Sequence, residues 1–298
     1  MFYTIFRMKQ IAIHIERIVN KSILVFLCVL FLSFKGNAQN SSVESQCEPQ
    51  YECVYSYTIN GSVQETYTTV LQIGKEFCRF YDYTAYAVDS LSFVPDVSEE
   101  EISKYNDIRR TSLFFFDSEV WQNIPADAMT VYMEVSPNRM SFQEDLGEMN
   151  WTLEDGNETI CGYVCNKAST TYGGRKWTVW YAPDIASSAG PWKFNGLPGL
   201  VLAASDQESQ HEFRAIAFRK GVTPVLKTSD FSIFQSTREK TLTAKSLSEK
   251  DIAAGKMPAV SEVRNVSIYK TRDGNSIVYI NGVARRPRPN GYQPLELE

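Results

Sequence analysis

The chain has 298 residues, 35 acidic and 30 basic, for a formal charge of −5. An acidic balance of this kind leaves no electrostatic footprint for a phosphate backbone and excludes nucleic-acid binding. With 43% hydrophobic and 13% aromatic residues the chain can bury a full core, and Tyr, Phe and Trp favour strands.

Residues 1–38 read as an export signal. Arg7, Lys9, Arg17 and Lys21 form a basic n-region, and Ser22–Phe34 is an apolar run of 13 residues. Gly36 and Ala38 then put small residues at the −3 and −1 positions for a cut between Ala38 and Gln39. A spanning helix needs roughly 20 apolar residues, so cleavage is favoured over a permanent anchor, and no transmembrane segment is expected afterwards. The true start is Met1 or Met8. Cleavage removes five basic residues and one acidic residue, leaving 39–298 at −9. That remainder is expected to be one β domain, periplasmic, associated with the outer membrane or secreted.

Along it, turn punctuation recurs. Tyr51–Ile59 alternates and meets Asn60-Gly61, a hairpin signal, and Val63–Ile73 runs back. Glu76–Tyr83 follows as a third strand. Ser98-Glu99-Glu100-Glu101 reads as a capping box opening a helix to about Arg110. Strands are expected at Leu113–Phe116, Thr130–Val135, Arg139–Gln143 and Trp151–Glu154, the last stopping at Asp155-Gly156. Gly162–Tyr172 and Arg175–Ala182 flank Gly173-Gly174, and Leu200–Ala204 and His211–Phe218 flank Ser205–Gln210. Ser248–Asp251 with Gly255 predicts a small capped helix, and Val263–Thr271 with Ser276–Ile280 a last hairpin. Residues 285–298 form a Pro- and Arg-rich tail expected to be solvated. The pattern predicts a mainly β fold: a large curved or barrel-like antiparallel sheet, a meander of hairpins with a few short helices.

Cys47, Cys53, Cys78, Cys161 and Cys165 remain after cleavage. Export permits disulfides, but five is odd, so one thiol is unpaired or pairs between chains. Cys161 and Cys165 bond to each other only if Gly162 makes a tight turn; otherwise Cys165 takes a distant partner.

Tyr172, Trp177, Trp180, Tyr181, Trp192 and Phe194 concentrate aromatic surface in one hairpin and the loop after it. Trp177, Val179 and Tyr181 share one face of their strand and Trp180 the other, so a strand covered on both sides is expected. The cluster is either core or an apolar or sugar-stacking groove lined by Trp177, Trp180 and Trp192, with Arg175, Lys193 or Asn195 orienting the ligand.

The bent run Gly190-Pro191-Trp192-Lys193-Phe194-Asn195-Gly196-Leu197-Pro198-Gly199-Leu200 resembles the signature of the GLPGLI family. Gly162-Tyr163, Cys165, Lys167-Ala168, Gly174-Arg175, Trp177, Trp180-Tyr181, Ile185 and Asp206 extend the likeness over Trp151–Phe218. It returns weakly at Asn290–Leu297. A proline expected after Ile185 is missing, and Val201 replaces the isoleucine of the motif's name. The resemblance implies an exported protein of Gram-negative bacteria and names no reaction.

Catalytic groups are sparse. His211 is the one histidine after residue 38, and no Gly-x-Ser-x-Gly elbow accompanies it. Carboxylates are plentiful: Glu144, Asp145, Glu148, Glu154, Asp155 and Glu158, with Asp184 and Asp206 bracketing the signature. A carboxylate-dependent hydrolase of glycoconjugates would need two of them in one cleft. No catalytic residue, metal ligand or cofactor is assigned. The reading is a binding module for an apolar or carbohydrate ligand or an envelope protein partner, with the hydrolase as its alternative.

Overall fold

The computed structural model describes residues 45–47, 49–91, 97–104, 116–221, 223, 225–226, 233–256, 265–270, 276–280, 283–285 and 287–297. The expected signal and its cut at Ala38–Gln39 lie outside them, as does the Cys47 side chain.

The elements in chain order are β1 (Ser45–Cys47), β2 (Tyr51–Ile59), β3 (Glu65–Ile73), β4 (Cys78–Asp82), α1 (Tyr83–Leu91), β5 (Ser118–Gln122), β6 (Ala128–Val135), β7 (Asn138–Asp145), β8 (Thr152–Ile160), β9 (Tyr163–Tyr172), β10 (Arg175–Ala182), β11 (Leu200–Asp206), β12 (His211–Lys220), β13 (Val225–Leu226), β14 (Ile233–Gln235), α2 (Arg238–Ala253), β15 (Val266–Lys270), β16 (Ser276–Ile280) and β17 (Val283–Arg285). Twelve strands form one sheet in the order β14-β7-β6-β5-β4-β3-β2-β12-β11-β10-β9-β8. Its pairs are antiparallel except β14 with β7, and it is not closed into a barrel. The fold is mainly β, as the hairpin pattern predicts. No helix among the described residues is long and apolar enough to cross a membrane.

Several local readings are corrected. Asn60-Gly61 is not a two-residue turn: Ile59 pairs with Glu65, leaving a five-residue loop. Asn290 holds that loop, accepting from Ser62 Oγ and the Val63 amide at 2.9 and 3.0 Å. Chain past Asp155-Gly156 continues as β8, because a bulge between Glu154 and Asn157 absorbs the glycine. The third run stops at Asp82, whose carboxylate accepts the Thr84 amide at 2.8 Å and opens α1. The small helix expected at Ser248 is the end of the longer α2, which starts at the Thr237 cap. Its buried positions, Thr241, Lys245, Glu249 and Ile252, are themselves mostly polar, which hides it from a periodicity reading. Two expectations hold. Ser98 and Glu101 form a reciprocal capping box, and Gly173 and Gly174, at φ 58° and 72°, make a tight turn between paired Tyr172 and Arg175.

The main core lies on one face of the sheet, where Tyr55, Leu71, Phe80, Val120, Phe142, Trp177, Phe194 and Phe213 converge. On the other face α1 covers Val54, Val70 and Tyr81 with Tyr86. The tail is not solvated. Arg288 pairs with Asp117 at 2.5 Å, the Leu297 amide donates to the Gly173 carbonyl at 2.8 Å, and Glu296 is buried. Its prolines bar it from a strand, but its polar side chains find partners across the sheet's end.

Candidate functional site

The segment from Pro183 to Gly199, between β10 and β11, folds inward onto the core face. Trp192 and Leu197 are each 2% exposed, and Lys193 and Phe194 are fully buried. Trp192 and Phe194 lie 5.8 and 5.1 Å from the Trp177 ring. Gly190, Pro191, Gly199 and Leu200 are buried with them, whereas Gly196 and Pro198 are the exposed points of the bends. At Gly199 (φ 156°) a Cβ atom would stand 2.4 Å from the Ala182 carbonyl oxygen, so only glycine lets the loop close on β10.

The same loop reaches the far side of the sheet. Gln122 of β5 donates to the Trp192 and Phe194 carbonyls at 3.5 and 3.4 Å. The Lys193 ammonium lies 2.5 Å from Glu144 of β7. β5 and β10 are six places apart in strand order, roughly 29 Å along a flat sheet. One tripeptide touches both, so the sheet curls around it.

The side chains singled out as ligand contacts are therefore consumed internally. Arg175 pairs with Asp206 at 2.6 Å and donates to Gln210 and the Pro294 carbonyl. Lys193 sits between Glu144 and Glu296. Asn195 is buried and bonds the Lys193 carbonyl, and Trp177 bonds the Tyr172 carbonyl. Trp180, half-buried on the opposite face, lies over Gly156 of β8. Of the two readings of the aromatic cluster, burial supports core over groove. The loop covers only the Trp177 face; Trp180 is covered by its own neighbours.

An open concavity with aromatic walls lies elsewhere, on the outer face of β4 to β7. Alternation along these strands sends Val120, Met129, Val131 and Phe142 into the core and Arg79, Glu119, Trp121, Thr130, Tyr132, Arg139 and Gln143 outward. A cleft of about 310 Å³ forms there, walled by Trp121, Tyr132, Ile124, Pro125 and Ile233. Along its floor Arg79 joins Asp89 (2.9 Å) to Glu119 (2.8 Å), and Glu119 joins Arg139 (2.9 Å). The Trp121 indole also donates to Glu119, at 2.6 Å. Burial alone would raise the Glu119 carboxyl, but the Arg79 and Arg139 guanidinia outweigh it and hold the group below its ordinary range. Sequence reasoning misses this site, because its residues come one or two at a time from separate strands. The one available signal is the outward run Glu119-x-Trp121, charged and aromatic where a solvated face is due.

The other expected groups do not assemble a reactive centre. Asp184 is exposed, Asp206 is spent on Arg175 and the His211 amide, and Glu154 and Glu158 pair with Lys167 and Arg214. His211 is buried with Nδ1 2.8 Å from the Tyr57 hydroxyl. Cys161 and Gly162 do form a tight turn, at φ 50° and 84°, yet Cys53, Cys78, Cys161 and Cys165 are all free thiols. The local bridge fails because Cys161 turns its sulfur toward the Ala215 carbonyl, and Cys165 points into the core.

No family profile matches the chain, and no curated protein does. Among solved structures, PNGF-II in its P21 and C2 space groups shares 14% and 15% identity, with TM-scores of 0.45 and 0.43. Those alignments cover 67% of this chain in each case, and 34% and 33% of PNGF-II. An uncharacterized conserved protein from Thermus thermophilus shares 8% identity at a TM-score of 0.32, over 65% of this chain and 94% of its own. The chain spans about a third of the length of the PNGF-II chains it matches.

Proposed function

We propose that this chain is an exported ligand-binding module of the GLPGLI family, with its ligand seat in the cleft between Trp121, Tyr132 and Arg139. The observation that carries the reading is the cleft itself: about 310 Å³, mostly apolar walls, and a few convergent polar groups. The signature loop supports it from behind. Gln122 faces inward to the loop while its neighbour Trp121 faces outward to the cleft, so one strand transmits the loop's shape to the site. The basic, apolar and small-residue succession of residues 1–38 supports export.

The hydrolase alternative has less support. Glu119 is the one carboxylate among the residues lining the cleft, and two guanidinia keep it ionised, which suits a structural anion better than a general acid. The test is native mass spectrometry of purified 39–298 after incubation with lipid and glycan extracts. Wild-type protein is expected to retain a ligand that Trp121→Ala loses; equal retention by both proteins would reject the site. Export is checked by N-terminal sequencing of protein from the envelope fraction, expected to begin at Gln39.

A further inference from the structure

We infer that the cleft takes a monocarboxylate carried on a flat apolar ring, an inference that rests on the proposed ligand seat. The four charges beneath it alternate as Asp89, Arg79, Glu119, Arg139. Arg79 lies between two carboxylates and Glu119 between two guanidinia, so both interior members are matched on each side. Arg139 ends the row at the cleft. It gives one N–H to Glu119 through Nη2, its Nε is buried with no acceptor among the described residues, and the side chain is 26% exposed. Its guanidinium stands 5.7 Å from the centre of the Tyr132 ring.

The exposed N–H groups of a planar guanidinium beside an aromatic wall match a carboxylate bonded to a ring. A neutral ring would cover those N–H groups without pairing them, which costs free energy. A polyhydroxylated ring would need many hydroxyl partners. Beyond the Glu119–Arg139 pair the lining offers the Tyr132 hydroxyl and what remains of Gln143 and Thr130 after Gln143 donates to Thr130 and Thr130 to the Ile124 carbonyl. A dianion is disfavoured because a single guanidinium meets it, with the Glu119 carboxylate directly behind. Trp121, Tyr132, Ile124, Pro125 and Ile233 supply the walls for the ring.

The experiment is calorimetric titration of 39–298 with phenylacetate, its neutral counterpart phenethyl alcohol, and methyl glucoside. Phenylacetate is expected to bind on the order of tenfold tighter than the alcohol, since a hydrogen bond to a charged group is worth that much. Arg139→Gln should erase the difference while leaving alcohol binding within about twofold. Comparable affinity of acid and alcohol for the wild type overturns the carboxylate inference and leaves the cleft standing. Tighter binding of methyl glucoside overturns it in favour of a carbohydrate. Binding of none of the three, or binding of phenylacetate that Arg139→Gln and Trp121→Ala both leave unchanged, overturns the inference and the seat together. If Arg139→Gln does not fold, Arg139→Lys, which keeps the charge and loses the fork, is expected to lie between the two.

Discussion

Lys193 and Glu296 meet at 2.6 Å inside the protein, tying the glycine- and proline-bent loop to the C-terminal segment. Glu144 of β7 closes on the same ammonium, and Arg238 of α2 lies 2.5 Å from Glu296. Four separate stretches of chain are thus joined around one fully buried cation. Removing it leaves two carboxylates near each other with the partly exposed Arg238 as the remaining cation among the described residues. Lys193→Ala is expected to cost about 3 kcal/mol, measured by urea unfolding. Adding Glu144→Gln and Glu296→Gln should recover part of that loss. A single-mutant loss below about 1 kcal/mol would mean the pair is no more than a surface-type bridge.

The bends of the Gly190–Gly199 segment were legible because their information is local. Glycines and prolines at fixed spacing, and aromatics at strand period, do not depend on distant chain. The hairpin of β9 and β10 was legible for the same reason, its turn being made by Gly173 and Gly174 themselves. The fate of Lys193 and Arg175 was not. Their partners Glu296, Glu144 and Asp206 come from other strands and from the tail, and no spacing rule links them. The cleft was illegible in the same way, since β4 to β7 each contribute one or two side chains. Asn60-Gly61 shows the converse failure. A strong local signal yielded to Asn290, far along the chain, which holds the loop open.

Gly199 gives a sharper test of the loop. Its backbone sits where a side chain would strike the Ala182 carbonyl and Pro183, neither of which can swing away. Gly199→Ala is expected to destabilise by about 2–4 kcal/mol, combining backbone strain with overpacking. Gly162, at φ 84° in the open turn, has nothing within 4 Å of the added atom. Gly162→Ala should cost about 1 kcal/mol, the backbone term alone. Thermal melts of the two variants, side by side, check the difference; equal losses would remove the claim that the loop docks tightly on β10.

The thiols should differ in reactivity by position. Cys53 and Cys165 are fully buried, and burial raises Cys165 to about 11, Cys78 to about 12 and Cys53 further. Cys161 is exposed in its turn, and burial raises it less. The thiolate is the reacting species, so access and ionisation act in the same direction. Iodoacetamide at pH 8 is expected to label Cys161 before Cys53, Cys78 and Cys165, by more than about tenfold in rate, as read by peptide mass mapping. Early labelling of Cys53 or Cys165 would show that the core face of β2 and β9 opens on the reaction timescale.

His211 sets a pH dependence whose sign follows from its surroundings. Burial, assisted by the Arg175 guanidinium and opposed by Asp206, lowers its pKa from 6.5 to about 4. Between those two values the unfolded chain binds a proton that the folded protein refuses. Stability therefore rises with pH across the window. His211's contribution is complete above about pH 6.5 and lost progressively as the pH falls toward 4, amounting to about 3 kcal/mol at most. Glu119, whose carboxyl is held low, weakens the fold in the same direction at lower pH. The two are separated with His211→Gln, which keeps a hydrogen-bonding group for the Tyr57 hydroxyl and cannot titrate. The unfolding free energy of the variant should be flatter than wild type from pH 6.5 to 4, and the difference between the two curves isolates the histidine. Parallel curves would mean that His211 takes up its proton as readily in the folded protein as in the unfolded chain.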